Sequence, residues 1–312
     1  MPAFPKPKFV YQFDLQEQIG LLESHKKKRL IPNKSDEELL IASWNIANLG
    51  LQKRWQQHAQ LISEIISWFD IIAIQEVNYN LQGLRQLESE LPSHYDLIFS
   101  DKAGNNERFA FAYDSRKTKL MELVGEVAVP PKDHRYIKLP NVQKKFNGFD
   151  RNPYLTSFQW RNTNLVLINV HSFFGSNSKA DMERRALETY AISRYADLNG
   201  KSKWAFSKNI IALGDFNLPI VEKGDLIYQA LMKRGLELPK HSSKVYSNIT
   251  NDKMYDQISF LPSIKKKIKA NGIFDFDNSL FPDLWIESKS KFKSYMKYYI
   301  SDHRPIWMQL KF

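Results

Sequence analysis

The stretch NIIALGDFNLP, residues 209–219, sets the problem that the rest of the chain resolves. An apolar run of strand length ends in Gly214-Asp215-Phe216-Asn217, so a buried strand delivers a carboxylate and a carboxamide at its tip. Side chains alternate along a strand, which predicts Phe216 in the core with Asp215 and Asn217 on the rim. A turn accounts for such an ending, because Asp and Asn terminate strands through local hydrogen bonds. A site that holds a metal or a phosphate accounts for it as well.

The pattern recurs. ELLIASWNI ends near Asn45, FDIIAIQEV near Glu76, NLVLINVHS at His171, and SDHRPI places Asp302 and His303 at the start of the last apolar run. Asp256 lies early in YDQISFL. RFAFAYD and PYLTSFQW complete the expected strands. Trp55, Ala59, Ile62, Ile66 and Phe69 recur at helical spacing, so a helix joins the first two strands. SKADMERRALETYAISRYA reads as a second helix, capped by Ser178 with Asp181 and burying Met182, Ala186, Tyr190 and Ala191. With no repeat and no composition break, residues 39–312 read as one α+β domain of two packed sheets with helices outside. Residues 1–38 read as a basic extension with a short helix around FDLQEQIGLLES.

Composition narrows the partners. Across 312 residues, 45 Lys and Arg against 34 Asp and Glu give a net charge of +11, a field that attracts polyanions such as nucleic acid or an anionic membrane surface. The absence of cysteine excludes disulfides, thiolate zinc and thiol catalysis. The N-terminus lacks the apolar core of a signal peptide, and no run is long enough to span a bilayer. The chain therefore reads as a soluble monomer, cytoplasmic or exported by a route without a cleaved signal peptide.

If the strands lie side by side, Asn45, Glu76, His171, Asp215, Asn217, Asp256, Asp302 and His303 converge on one rim. Such a cluster suits phosphodiester hydrolysis. Hard oxygen ligands such as Glu76 and Asn45 select Mg²⁺ or Mn²⁺ over zinc. A histidine held by a carboxylate removes a proton from water, and a second protonates the leaving group. No Walker loop, HExxH pair or Gly-rich dinucleotide turn is present.

In order and spacing, SWNIANLG, IIAIQEV, ERFAFAYD, DRNPYLTSF, NVHS, GDFN, YDQI and SDHRPI resemble the endonuclease/exonuclease/phosphatase superfamily, most of all its deoxyribonuclease I-like enzymes. The resemblance covers residues 39–312. It implies a four-layered α/β sandwich of two packed, mostly antiparallel sheets flanked by helices, with the active site at one sheet edge. It also implies roles. Glu76, helped by Asn45 and with Asp302 nearby, binds Mg²⁺, with Mn²⁺ as a substitute and Ca²⁺ as a structural or synergistic ion. Asp256 orients His303 as general base, and Asp215 positions the water or the metal. Asn217 donates to the scissile phosphate and Arg151 grips a phosphate oxygen. Glu107 holds His171, which acts on the leaving-group side. Abasic-site endonucleases of the superfamily usually carry asparagine at the position of His171, so the histidine implies a general nuclease. Secreted deoxyribonuclease I enzymes carry disulfides, and this chain departs from them there.

The reading that follows is a DNA endonuclease of low sequence specificity. A phosphoinositide phosphatase, a sphingomyelin-type phosphodiesterase and a catalytically inactive nucleic-acid-binding module are its alternatives. Lys26-Lys27-Lys28-Arg29, SIKKKIKANG and SKSKFKSYMKYY read either as phosphate-gripping surfaces or as solvated segments around a few core aromatics. His25, His58, His94, His134 and His241 sit in no constellation and read as surface or structural residues.

Overall fold

The computed structural model describes residues 3–240 and 245–312, so His241 lies outside the described residues. In chain order the elements are α1 (Leu15–Lys28), β1 (Leu39–Leu49), α2 (Gln56–Ser67), β2 (Ile71–Asn78), α3 (Gln82–Glu90), β3 (Tyr95–Phe99), β4 (Glu107–Asp114), β5 (Thr118–Glu126), β6 (Tyr154–Trp160) and β7 (Thr163–His171). There follow α4 (Lys179–Lys201), β8 (Ile210–Asp215), α5 (Leu226–Met232), β9 (Asp256–Phe260), α6 (Pro262–Lys265), β10 (Ile268–Ile273), α7 (Pro282–Glu287), α8 (Lys289–Tyr299) and β11 (Ile306–Leu310).

The strands form a six-stranded sheet in the order β10-β11-β1-β2-β4-β3 and a five-stranded sheet in the order β5-β6-β7-β8-β9. Each contains one parallel pair, β1 with β2 and β7 with β8, and its other pairs are antiparallel. Parallel neighbours need a crossover, which α2 and α4 supply. Ser178 caps α4 by accepting from the Asp181 amide, as the sequence pattern predicts.

Alternation sorts the strand residues into three cores. Leu40, Ala42, Trp44 and Ile46 of β1 pack under α2 and α8, while Ile210, Ala212 and Phe216 pack under α4 and α5. The opposite parity fills the space between the sheets: Leu39 and Ile41, Ile71 and Ala73, Phe109 and Phe111, Leu165 and Leu167, Ile211 and Leu213. Helices therefore cover both outer faces, giving four layers. Phe216 is fully buried with the α4 core, on the side its alternation predicts.

Between the sheets the apolar filling gives way to amides. Gln75 donates through Nε2 to Asn169 Oδ1 at 2.6 Å and to Ser43 Oγ at 3.0 Å. Asn169 Nδ2 donates in turn to the carbonyls of Ile74 and Ala110 in the opposite sheet. All three polar residues are fully buried.

Three strands were not read from sequence: β3, β5 and β10. All are edge or near-edge segments with weak alternation, and β5 is largely exposed. SKSKFKSYMKYY is helix α8, and its Phe292, Tyr295, Tyr298 and Tyr299 are buried while Lys289, Lys291 and Lys293 are exposed. Its aromatics thus belong to the core and not to a groove.

Helix α1 continues through the basic run to Lys28 and is anchored on the body. Leu22 is fully buried, Gln18 Oε1 accepts from the Phe281 amide, and His25 and Arg29 both bind the fully buried carboxylate of Asp275. Lys26 lies over the Trp68 ring, leaving Lys27 and Lys28 exposed.

Gly214 pairs with Val170 across the parallel ladder at φ +142°. A Cβ there would stand 2.1 Å from the Val170 carbonyl oxygen. Gly214→Ala is therefore expected to cost about 2–4 kcal/mol, read as a lower Tm by circular dichroism. An unchanged Tm would show that the β7–β8 ladder yields.

Candidate active site

The strand faces that fill the space between the sheets also build the rim. Continuing each in steps of two leads from Ser43 to Asn45, from Phe109 to Glu107, from Asn169 to His171, from Leu213 to Asp215, and from Ile258 to Asp256. One parity thus runs from hydrocarbon through amides to ionisable groups.

Glu76 breaks the pattern. Alternation from Gln75 would aim it at the helical layer, but the β2 register shifts between Ile74 and Val77 and Glu76 has φ +58°. Its carboxylate consequently returns to the rim, where Oε1 accepts from Asn45 Nδ2 at 3.0 Å and Oε2 from the Asn48 amide at 2.8 Å. A left-handed backbone at a glutamate is costly, and such strain concentrates at functional positions.

Asp215 is the hub. Its Oδ2 lies 3.1 Å from Asn45 Nδ2, 3.7 Å from His171 Nε2 and 3.9 Å from His303 Nδ1, while Oδ1 accepts from the Asn217 amide at 2.8 Å. Each imidazole has its own carboxylate. His303 Nδ1 is 2.8 Å from Asp256 Oδ2, and His171 Nδ1 is 3.2 Å from Glu107 Oε2. Asp302 is half-buried beside His303.

Burial and charge compete at every one of these groups. Burial drives the Asp215 carboxyl upward, but the two imidazoles outweigh it and hold Asp215 below the usual carboxylate range. Burial also dominates at Asp256 and, with the Asp215 charge, lifts it to about 6 against the pull of His303. Desolvation would lower His303, yet Asp256, Asp215 and Asp302 together raise it well above the ordinary histidine value. Burial opposes ionisation of Glu107 too, but His171 and Arg151 bring it down to about 2.

Arg151 is buried, with Nε donating to the His171 carbonyl, Nη2 to the Ser172 carbonyl, and Nη1 3.5 Å from Glu107. Its fork is directed at the backbone that carries His171. Asn217, at φ +50°, donates through Nδ2 to the Ser172 carbonyl. A cavity of about 270 Å³ opens beside His171, walled by Arg151, Phe173, Phe174 and Asn105.

Asn45 Oδ1 is buried with no hydrogen-bond partner among the described residues, although its Nδ2 is used twice. An orphaned oxygen beside the Glu76 carboxylate is the donor set that a hard divalent cation takes, so these residues fit one. Ligand atoms of Asp215, Asp256 and His303 also lie within 4.8 Å of one another. There the short Asp256–His303 hydrogen bond already commits a ligand atom from each.

Several supporting residues carry no motif. Ser301 Oγ donates to the Asn45 carbonyl and accepts from the Ala47 and His303 amides. Trp44 Nε1 donates to the His303 carbonyl. From α4, Arg185 donates to the carbonyls of Phe173, Phe174, Ser176 and Asn217, while Glu188 accepts from the amides of Asp150 and Phe173. Charged residues inside an otherwise buried helix face were the available signal for the last two. Of the other described histidines, His58 is buried against Tyr295 and Tyr299 and lowered to about 3 by burial and Arg54.

A protein of known structure from Bacteroides thetaiotaomicron, described as an endonuclease/exonuclease/phosphatase family protein, superposes with a TM-score of 0.60 over 88% of this chain and 98% of its own, at 19% identity. The chain has the endonuclease/exonuclease/phosphatase fold. The same fold relates it to the 3′ phosphatase NExo from Neisseria, solved with a product DNA hairpin, at a TM-score of 0.55 and 13% identity over 88% of this chain and all of that one. In sequence it is 25% identical over 295 residues to a deoxyribonuclease from Thioalkalivibrio sp. (strain K90mix), spanning 89% of this chain and 73% of the relative. No family model matches. Among the described residues, no helix is long and apolar enough to cross a membrane.

Burial lifts Glu188 to about 7, against the amides of Phe173 and Asp150 and the charge of Arg184. A carboxyl raised on folding gives stability that is complete below its unfolded value of about 4.3 and is lost as pH rises through its folded value. Glu188→Gln cannot titrate. The Tm of the variant relative to wild type is therefore expected to improve by a few degrees, about 2 kcal/mol, between about pH 5 and pH 8. Parallel Tm–pH curves would refute the assignment.

Proposed function

We propose that the chain is a divalent-metal-dependent phosphodiesterase, a DNA endonuclease of low sequence specificity. The observation that carries this reading is the pair of histidine–carboxylate dyads, His303–Asp256 and His171–Glu107, closing on Asp215 from two sides. One dyad suits the attacking water and the other the leaving group, which is the division of labour that in-line hydrolysis requires. Asp256 occupies Nδ1 of His303 and leaves Nε2 to take the proton of water. Glu107 likewise fixes the ring of His171, whose Nε2 faces the interior of the site and delivers a proton to the departing oxygen. Asp215 orients the water between them. Asn217 retains a second amide proton for a phosphate oxygen, and Arg151 keeps the His171 backbone in place while presenting positive charge toward the phosphate.

Glu76 and Asn45, with Asp302 nearby, would hold the cation, Mg²⁺ or Mn²⁺. Once bound, it would supply charge to offset the phosphoryl oxygens and the leaving oxygen. DNA as the substrate is supported by the net charge of +11 and by the Thioalkalivibrio deoxyribonuclease.

Nicking of supercoiled plasmid in Mg²⁺ tests the proposal. His303→Ala and His171→Ala are each expected to slow nicking by about 10²–10⁴-fold with the fold retained. Undiminished nicking by either variant refutes its role. An intact plasmid with phosphate released from a phosphomonoester would move the chain to phosphatase chemistry, and release of headgroup from vesicles to a lipid substrate.

Chelation is expected to abolish nicking reversibly. Glu76→Gln should raise the Mg²⁺ concentration for half-maximal rate by about tenfold or more, through loss of one anionic ligand. An unchanged Mg²⁺ dependence would remove Glu76 from the metal site.

A further inference from the structure

A second cavity, of about 540 Å³, is twice the size of the one beside His171. It lies at the other end of the five-stranded sheet, where Leu261 donates its amide to the Ile210 carbonyl. Ile210 and Asp215 bound β8, so the cavity stands roughly 17 Å from the catalytic rim at 3.3 Å per residue. Nothing seated there reaches His171 or His303.

Its lining has two characters. Leu261 and Pro262 give an apolar wall. Lys201, Lys208, Lys233 and Arg234 surround it, with Asp197 as the single carboxylate. That carboxylate is shared by Lys201 at 2.6 Å and Arg234 at 2.5 Å, while Lys208 and Lys233 are exposed. Arg234 Nε is buried without a hydrogen-bond partner among the described residues. The loop joining Lys201 to Lys208 carries Trp204, which is 82% exposed with Lys203 over its ring.

We propose that this cavity is a non-catalytic binding site for a nucleotide unit, either free or at the end of a nucleic-acid strand. Its volume falls in the range of small-ligand pockets. The apolar wall takes the face of a base or sugar, and the lysines with Arg234 take the phosphate. A purely anionic ligand would leave Leu261 and Pro262 without a role, and a purely apolar one would leave the cations unmatched. The exposed Trp204 offers a stacking surface to a neighbouring base. The inference does not depend on the catalytic proposal, because binding is measured without turnover.

Calorimetric titration of the full chain in EDTA, with adenosine monophosphate in one arm and a short single-stranded oligodeoxynucleotide in the other, provides the test. Wild type is expected to bind at least one of them. The Lys208→Glu/Lys233→Glu double variant, with an unchanged Tm, is expected to bind it about tenfold more weakly or worse and with a shallower salt dependence. Loss in both arms identifies a free nucleotide as sufficient, and loss in the strand arm alone identifies a strand end; either supports the site. Wild-type affinity in the double variant, or no binding by wild type in either arm, overturns it. Competition by pyrophosphate as effective as that by unlabelled nucleotide also overturns it, since the apolar wall would then contribute nothing.

Discussion

The amide bridge between the sheets, Gln75 to Asn169, is the constraint on which the site depends. An apolar interface between two sheets is non-directional, and hydrocarbon packing tolerates small slides. A buried amide pair does not, because a displacement of even one ångström strands donors and acceptors that have no water to turn to. Gln75 fixes the six-stranded sheet that carries Asn45 and Glu76, and Asn169 fixes the five-stranded sheet that carries His171 and Asp215. The hydrogen bond from Asn45 to Asp215 across the same gap then falls at the right length.

The site itself stores charge in a place where charge is expensive. Asp215 and Asp256 are essentially inaccessible, and each is tolerated only because an imidazole stands against it. The arrangement is therefore mutual: the acids raise the proton affinity of His303, and the histidines hold Asp215 below the usual carboxylate range. Removing one member leaves its partners buried and unmatched. This is why the rim is braced so heavily by Ser301, Trp44, Arg151 and the α4 pair Arg185 and Glu188.

Much of this was legible in the sequence, for identifiable reasons. Strands with strong alternation and a polar end, such as LVLINVH and IIALGD, announce both their parity and their rim residue. The same parity, followed two residues inward from His171 and from Asn45, leads to Asn169 and Ser43, whereas Gln75 is out of step with Glu76 because the β2 register shifts between Ile74 and Val77. Weak alternation hid β3, β5 and β10, which sit where packing demands little of a sequence. Lysines interleaved with tyrosines concealed the helical period of α8, whose exposed face is lysine and serine while its aromatics are buried. The left-handed turn at Glu76 and the direction of Arg151 depend on backbone geometry and on three-dimensional neighbours, and no local pattern encodes them.

The anchoring of α1 has a consequence for how the chain is made. His25 and Arg29 meet Asp275 across some 250 positions, and the central strand β1 needs β11, whose last residue Leu310 pairs with Leu39. At about 5–20 residues per second, a ribosome delivers Asp275 roughly 12 to 50 seconds after His25. Throughout that interval the first helix has no counter-charge, and β1 presents an unpaired edge. The molecule is thus a clasp that closes only when β11 is available to pair with β1.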